Sequence, residues 1–431
     1  MTVNHVSFAA PTLQALKRLD RDNNGVSVSE LKTLDSDNDG TINQAEATSA
    51  GIDSADVQRI NQTLQAHASE PNLVVFGSKF MVANEARQQM LNVFQRVDGD
   101  NDGFLSKSEL NTALHSSAYT GKEAAAVATM YQKVEDLEEY ADDEFGDEND
   151  GITRQDIETY VDQAAASPDQ TTDGINNLYQ SSESKISGSA NTLFPAGVNG
   201  ISVSNVRQGQ IGDCSFLAAV GSLANTPAGR QKIQNMITDN GNSTYSVTFP
   251  GRAAVTVNAP TQAEMGLYTS GQNGLWLPVL EKAFAQVNHN ENGSSNENPY
   301  QDINGVAMER AVSVLTGHSA NEDDLVFTSY DTMRSRIGDA LTNGRLVTAS
   351  IRANMPLTTP ERSNGLPMDH AYTVLAYNAT TDQITLRNPW GHGEPRNAAG
   401  QVADGNDDGT FTMSLSDFNS YFNVLCYEEA Q

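Results

Sequence analysis

Cysteine is nearly absent from this 431-residue chain, which holds two. Two thiols exclude a disulfide framework, and no CxxC pair offers a structural zinc site. Tryptophan is equally scarce, also two, and the aromatics together reach 7%. No apolar run approaches the roughly 18 residues that a membrane-spanning helix needs. Positive charge is short as well: 26 Lys+Arg stand against 55 Asp+Glu, a net charge of −29. That balance argues against nucleic acid and anionic membrane as partners and favours cations. The N-terminus has no basic stretch followed by an apolar one, so it is not an ordinary signal peptide. The compartment reads as cytoplasm, or as export without a recognisable signal.

What is present is unevenly spread. The length predicts two or three domains. Residues 1–194 carry 32 acids and 13 bases, and the remainder 23 and 13. Near the start, "LKRLDRDNNGVSVSE" and "LKTLDSDNDGTINQAE" repeat one pattern 15 residues apart. A third copy, "VDGDNDGFLSKSEL", and a degenerate fourth, "GDENDGITRQDIETYV", follow helical stretches.

These copies carry the ligand spacing of an EF-hand calcium loop. Oxygens stand at positions 1, 3 and 5, a backbone carbonyl at 7 and a bidentate carboxylate at 12, with glycine at 6 for the turn. Residues 35–46 supply Asp35, Asp37, Asp39, Gly40, Thr41 and Glu46; residues 98–109 supply Asp98, Asp100, Asp102, Gly103, Phe104 and Glu109. The first loop offers Asp20, Asp22, Asn24 and Glu30 but is one residue short after its glycine. The fourth has Asp147, Asn149, Gly151 and Asp156, compressed further. Loops one and two lie too close for a full helix between them, so they read as a compact tandem repeat.

Residues 164–193 are rich in Ser, Asn and Gly and read as a linker. Beyond it, "QGQIGDCSFLAAVGSLA" (208–224) places Cys214 after a Gly-Asp turn. Asp213 is a good N-cap, and Phe216, Leu217, Val220 and Leu223 would share one helical face. A helix N-terminus lowers a thiol's pKa. A free cysteine also serves as buried apolar filler, so a base must decide between the two. His370 lies in a strand-like segment, "MDHAYTVLAY", and Asn388 ends another, "LRNPWG". The order Cys, His, Asn at this separation is that of papain-like thiol proteases. Asn388 would hold the imidazole through Nδ1–H, leaving Nε2 for the sulfur. Gln208 would donate its side-chain amide to the oxyanion beside the Cys214 N–H.

Five segments in order, "QGQIGDCSFLAAVGSLA", "GLWLPVLEKAFAQV", "MDHAYTVLAY", "LRNPWG" and "DGTFTMSLSDFNSYF", resemble the calpain protease core over residues 194–431. The resemblance implies Gln208 at the oxyanion hole, Cys214 as nucleophile, His370 as base and Asn388 as orienter. It also implies that Trp390 is a gating wedge between two lobes. Two positions depart: Ser215 stands where a Trp usually follows the cysteine, and Asn205 where the family usually has Asp.

The expectation is an α+β chain: an EF-hand-like calcium-binding region (1–163), the linker (164–193), then a papain-like core. That core comprises a helical lobe carrying the nucleophile (194–325) and a β-rich lobe carrying His and Asn (326–431). Ca²⁺ is the expected cofactor, and protein or peptide chains the expected substrates. The alternative is a catalytically inactive calcium-binding interaction protein on the same fold.

Overall fold

The computed structural model describes residues 10–20, 25–71, 73–76, 78–140, 151–166, 170–353, 365–397 and 400–430. The chain divides into two compact units, Met1–Ser184 and Lys185–Gln431.

In the first unit, α1 (Ala10–Leu19) leads into the first acidic loop. After it come β1 (Val26–Ser27) and the single turn α2 (Val28–Leu31). The second loop follows at once and opens into α3 (Gln44–Ala50) and α4 (Ser54–Ala66). A short strand, β2 (Val74–Phe76), pairs antiparallel with β1. Leu16, Val26, Val28, Leu31, Ile42, Ile60 and Leu64 form a small common core. The long helix α5 (Ser78–Val97) runs into the third loop and α6 (Lys107–Leu114) leaves it. Then come α7 (Gly121–Gln132), α8 (Val134–Leu137), α9 (Arg154–Ala166) and α10 (Gln170–Ser187).

The helix α10 corrects the linker expected over 164–193. Its composition is polar, but Ile175, Leu178, Tyr179 and Ile186 recur at helical spacing and all are buried. Periodicity of the few apolar residues outweighs average composition here.

The second unit starts from α11 (Cys214–Ala224) and α12 (Pro227–Met236). A three-stranded antiparallel sheet follows, β3 (Ile237–Asp239), β4 (Thr244–Val247) and β5 (Val255–Asn258). The helices α13 (Gln262–Leu267), α14 (Trp276–Asn292) and α15 (Met308–Thr316) complete this half. The other half comprises β6 (Ala320–Asp324), α16 (Tyr330–Thr342), β7 (Val347–Ile351), β8 (His370–Asn378), β9 (Gln383–Arg387), β10 (Thr410–Ser414), α17 (Leu415–Tyr421) and β11 (Val424–Glu428). Its strands form one six-stranded antiparallel sheet in the order β10-β9-β8-β7-β11-β6. The fold is α+β, as expected. The sheet half begins at residue 320 rather than 326, because β6, "ANEDD", is an edge strand with no apolar alternation to reveal it.

α11 is buried on every side, not along one face as expected. It lies on the six-stranded sheet: Thr373 Oγ1 on β8 donates to the Ala218 carbonyl at 2.8 Å, and Val347 N donates to Ser222 Oγ at 3.0 Å. Gly221 permits this approach, since a Cβ there would stand 2.5 Å from Thr373 Oγ1. No helix among the described residues is long and apolar enough to cross a membrane.

Candidate active site

His370 opens β8 and Asn388 directly follows β9, and the pairing Thr373↔Arg387 between these strands brings the two ends together. His370 Nε2 lies 2.8 Å from Asn388 Oδ1. The amide orientation is set by two further partners. Oδ1 also accepts from Trp390 N at 2.9 Å, and Nδ2 faces the Gly393 carbonyl at 3.5 Å. Nε2 therefore carries the proton and Nδ1 is the basic nitrogen. This reverses the expected assignment of the two ring nitrogens. Spacing along the chain says which residues meet, not which edge of a ring turns inward.

Asn388 is fully buried. Its backbone N donates to the Gly409 carbonyl at 2.8 Å, and Glu394 Oε1 in turn accepts from Asp408 N and Gly409 N. The Trp390 ring rests 4.5 Å from the imidazole, centroid to centroid.

Cys214 is the first residue of α11, 9% exposed, with its sulfur in hydrogen-bonding reach of the Ala371 N–H, next to His370. Burial pushes this thiol's pKa up, with Asp213 adding to the rise and the Ala371 and Ser215 contacts opposing it. The lowering expected from the helix N-terminus is thus outweighed by desolvation. Burial also drives His370 down, to about 4, against the favourable bond from Asn388. Burial thus favours the neutral form of both groups.

The Gln208 side chain points its amide nitrogen at the Ile211 carbonyl, 2.6 Å away, which engages one of its two N–H groups. Its backbone N donates to the Pro389 carbonyl at 2.9 Å. Arg387, 4% exposed, reaches from the end of β9 to the Val206 and Ser204 carbonyls. The segment before the nucleophile is thereby tied to the segment that bears Asn388. Asn205 Nδ2 donates to the Gly200 carbonyl at 2.7 Å. Ser215 is buried beside Cys214.

Asp213 departs from expectation. It occupies the N-cap position but makes no capping bond; its side chain is fully buried and turned towards Glu281 on α14. Glu281, Arg387 and Glu394 were not singled out in the sequence. For Glu281 a signal existed: it is the one acid within the apolar run "WLPVLEKAF".

The loops at 35–46 and 98–109 each draw their acids together. Carboxylate oxygens of Asp35, Asp37 and Asp39 lie within 4.8 Å of one another, as do those of Asp98, Asp100 and Asp102. Asn38, Gly40, Asn101 and Gly103 hold positive φ at positions 4 and 6 of these loops. Glu46 folds back to accept from Ser36 N, and Glu109 from Gly99 N, each at 2.7 Å. The same carboxylates complete capping boxes with Asn43 and Ser106, and Glu30 does so with Ser27. Asp98 Oδ1 and Asp20 Oδ1 are buried without a donor among the described residues. Hard oxygens converging around orphaned buried acceptors fit Ca²⁺. Asp22, Asn24, Asp147 and Asn149 lie outside the described residues. Asp156, also fully buried, keeps the capping contact with Thr153.

Loop three is bridged to the degenerate fourth through Leu105 and Ile152. Gly151, at φ +135°, sits where any Cβ would collide with the Leu105 carbonyl. In loop two, both backbone groups of Ile42 are instead bonded by the Asn61 side-chain amide, at 2.7 and 2.8 Å.

A cysteine at a helix start beside a histidine–asparagine pair on a sheet is the arrangement of a papain-type thiol protease. The calpain family cysteine protease profile matches residues 184–427, and the chain belongs to that family. It is 26% identical over 265 residues to Calpain-13 of Rattus norvegicus, covering 53% of this chain and 37% of that protein. Calpain clp-4 of Caenorhabditis elegans is 26% identical over 256 residues, 51% of this chain and 34% of that protein. Calpain-type cysteine protease DEK1 of Zea mays is 29% identical over 215 residues, 46% and 9% respectively. The chain thus spans about a third of the length of the first two relatives.

Proposed function

We propose that the chain is a calcium-dependent cysteine endopeptidase, with a two-lobed papain-like core preceded by an EF-hand-like region. The observation that carries this reading is the 2.8 Å His370–Asn388 bond, with Cys214 held beside the neighbouring Ala371 N–H.

In the proposed cycle, Cys214 Sγ attacks the scissile carbonyl of a protein chain as its proton passes to His370 Nδ1. A neutral pair suits this coupling, since the base is free to accept at the moment of attack. The Cys214 N–H and the free N–H of the Gln208 amide hold the oxyanion. His370 protonates the leaving amine and then activates the water that releases the acyl-enzyme. Asn388 accepts from Nε2–H and steadies the imidazolium. Trp390, lying on the imidazole, would gate access to that base by shifting away.

Asp35, Asp37, Asp39, the Thr41 carbonyl and Glu46 would hold one Ca²⁺, and Asp98, Asp100, Asp102, the Phe104 carbonyl and Glu109 a second. The first loop would use Asp20, Asp22, Asn24 and Glu30. A bound cation offsets the repulsion among carboxylates that otherwise cannot pack together.

The test is casein hydrolysis titrated with calcium, wild type beside Cys214→Ala. Calcium-dependent cleavage lost in the variant supports enzyme, nucleophile and regulator together. Cleavage without calcium reduces the loops to structural staples. No cleavage at any calcium level favours the catalytically inactive interaction protein.

A further inference from the structure

Two acids meet under the nucleophile. Asp213, immediately before Cys214, is 0% exposed, and so is Glu281 on α14. Their carboxyl groups lie within hydrogen-bonding reach of each other. Among the described residues, no other residue donates to Asp213 Oδ1, Asp213 Oδ2 or Glu281 Oε1, and Asp213's own backbone N–H is the one group that favours its charged form. Glu281 Oε2 is supplied by Thr269 N at 3.1 Å and Thr269 Oγ1 at 2.5 Å. Two bare carboxylates in a dry interior repel, and each unsatisfied oxygen adds a desolvation cost. One proton between them removes both penalties.

We propose that Asp213 is a protonated positioning residue, which donates to the Glu281 carboxylate and so fixes the Asp213–Cys214 peptide. The proposal rests on the reading of Cys214 as nucleophile, because that peptide carries both the thiol and the N–H aimed at the oxyanion. The proton belongs on Asp213 because Thr269 stabilises negative charge on Glu281 alone. Burial raises both acids, Glu281 to about 7 and Asp213 well above its usual range. Lys185, half-buried and bonded to the Tyr268 carbonyl at 3.3 Å, lies in the field of Glu281 and balances the pair's single charge. Tyr300, stacked on Tyr268, and Cys214 are the other titratable groups facing the pair. Glu264 is near Tyr300 but is held by Lys282 through both oxygens. A neutral Asp213 keeps negative charge away from the point where thiolate must form.

The two isosteric amides separate this arrangement from simple packing. In Asp213→Asn the new NH₂ donates to Glu281 just as the acid does, so Cys214 alkylation by iodoacetamide and kcat stay within about threefold of wild type. In Glu281→Gln the amide oxygen must remain on the Thr269 N–H, so its NH₂ faces Asp213, whose own O–H loses its carboxylate acceptor while its oxygens gain a donor, which favours ionisation. That places a charge beside Cys214. Its alkylation profile should move up by about one pH unit and the rate at pH 7 fall about tenfold, with KM little changed. Infrared spectra report the proton directly: at pH 7.5 wild type shows a buried protonated-carboxyl band that both variants lack. Equal damage by the two amides, or a wild-type band that is absent or survives Asp213→Asn, overturns the proposal. A band that behaves as described in a protein that never cleaves casein leaves the shared proton standing and removes the protease reading instead.

Discussion

Asp98 and Asp213 are both buried carboxyl groups with an oxygen that no other residue's donor reaches among the described residues, yet they keep different company. Around Asp98 stand Asp100 and Asp102, with Glu109 folded back to the start of the loop, and no basic side chain is hydrogen-bonded to any of these acids among the described residues. Around Asp213 stand Glu281, with its Thr269 donors, and Lys185 within the field of Glu281. The first unit gathers acids with no counter-charge hydrogen-bonded to them among the described residues, while the second sets donors and a lysine around its pair. On the proposed reading, ion dependence of structure would belong to residues 1–184 and proton dependence to residues 185–431.

The predictions that would break or sharpen this contrast run from large to small. Cys214→Ala should lower caseinolysis on the order of 10⁴-fold or more, while calorimetry shows unchanged calcium stoichiometry; altered ion binding would mean that the two functions are not separable. Asn388→Ala should cost ~10²–10⁴-fold in kcat, since His370 loses its orienting acceptor; stopped-flow acylation kinetics would read it.

On the other side of the contrast, Glu109→Gln should remove one bound ion, measured by calorimetry, and leave the loop at 35–46 filled. For wild type, calcium at about 100 times its Kd should stabilise the first unit by about 2.7 kcal/mol per bound ion. A calcium shift confined to the second unit's unfolding transition would invert the comparison.

Proton dependence has a definite sign at His370. Its folded pKa, about 4, lies below the ordinary 6.5. The stability contributed by burying the neutral ring is therefore complete above pH 6.5 and is lost as pH falls towards 4. The drop is on the order of 3 kcal/mol. Denaturant unfolding of His370→Gln should show a correspondingly shallower loss over that window. The smallest effect is steric: Gly221→Ala places a methyl 2.5 Å from Thr373 Oγ1, costing about 1–3 kcal/mol by thermal unfolding.

How far residues announce themselves depended on whether their partners lie nearby in the chain. The clustered acids of the loops at 35–46 and 98–109 were readable because acids, turn glycine and capping carboxylate fall within twelve positions. Cys214, His370 and Asn388 were readable by order and by five flanking motifs. The ring nitrogen facing Asn388, the cap that Asp213 does not make and the engaged amide of Gln208 were not. Each is decided by a side chain's rotation inside a packed interior, which no spacing encodes. The strand at 320–324 was missed because an edge needs no apolar alternation, and α10 because four buried residues govern a polar sequence.

The sheet order carries a consequence for biosynthesis. β11 lies between β7 and β6 although it follows all the other strands of that sheet in the chain. A nascent chain that already contains Cys214, His370 and Asn388 still lacks the strand that joins β7 to β6. The Arg387 struts to Ser204 and Val206 likewise span more than 180 residues. Such distant contacts form late, after the loop-closure entropy has been met. The emerging polypeptide thus carries Cys214, His370 and Asn388 well before residues 424–428 complete the sheet on which they stand.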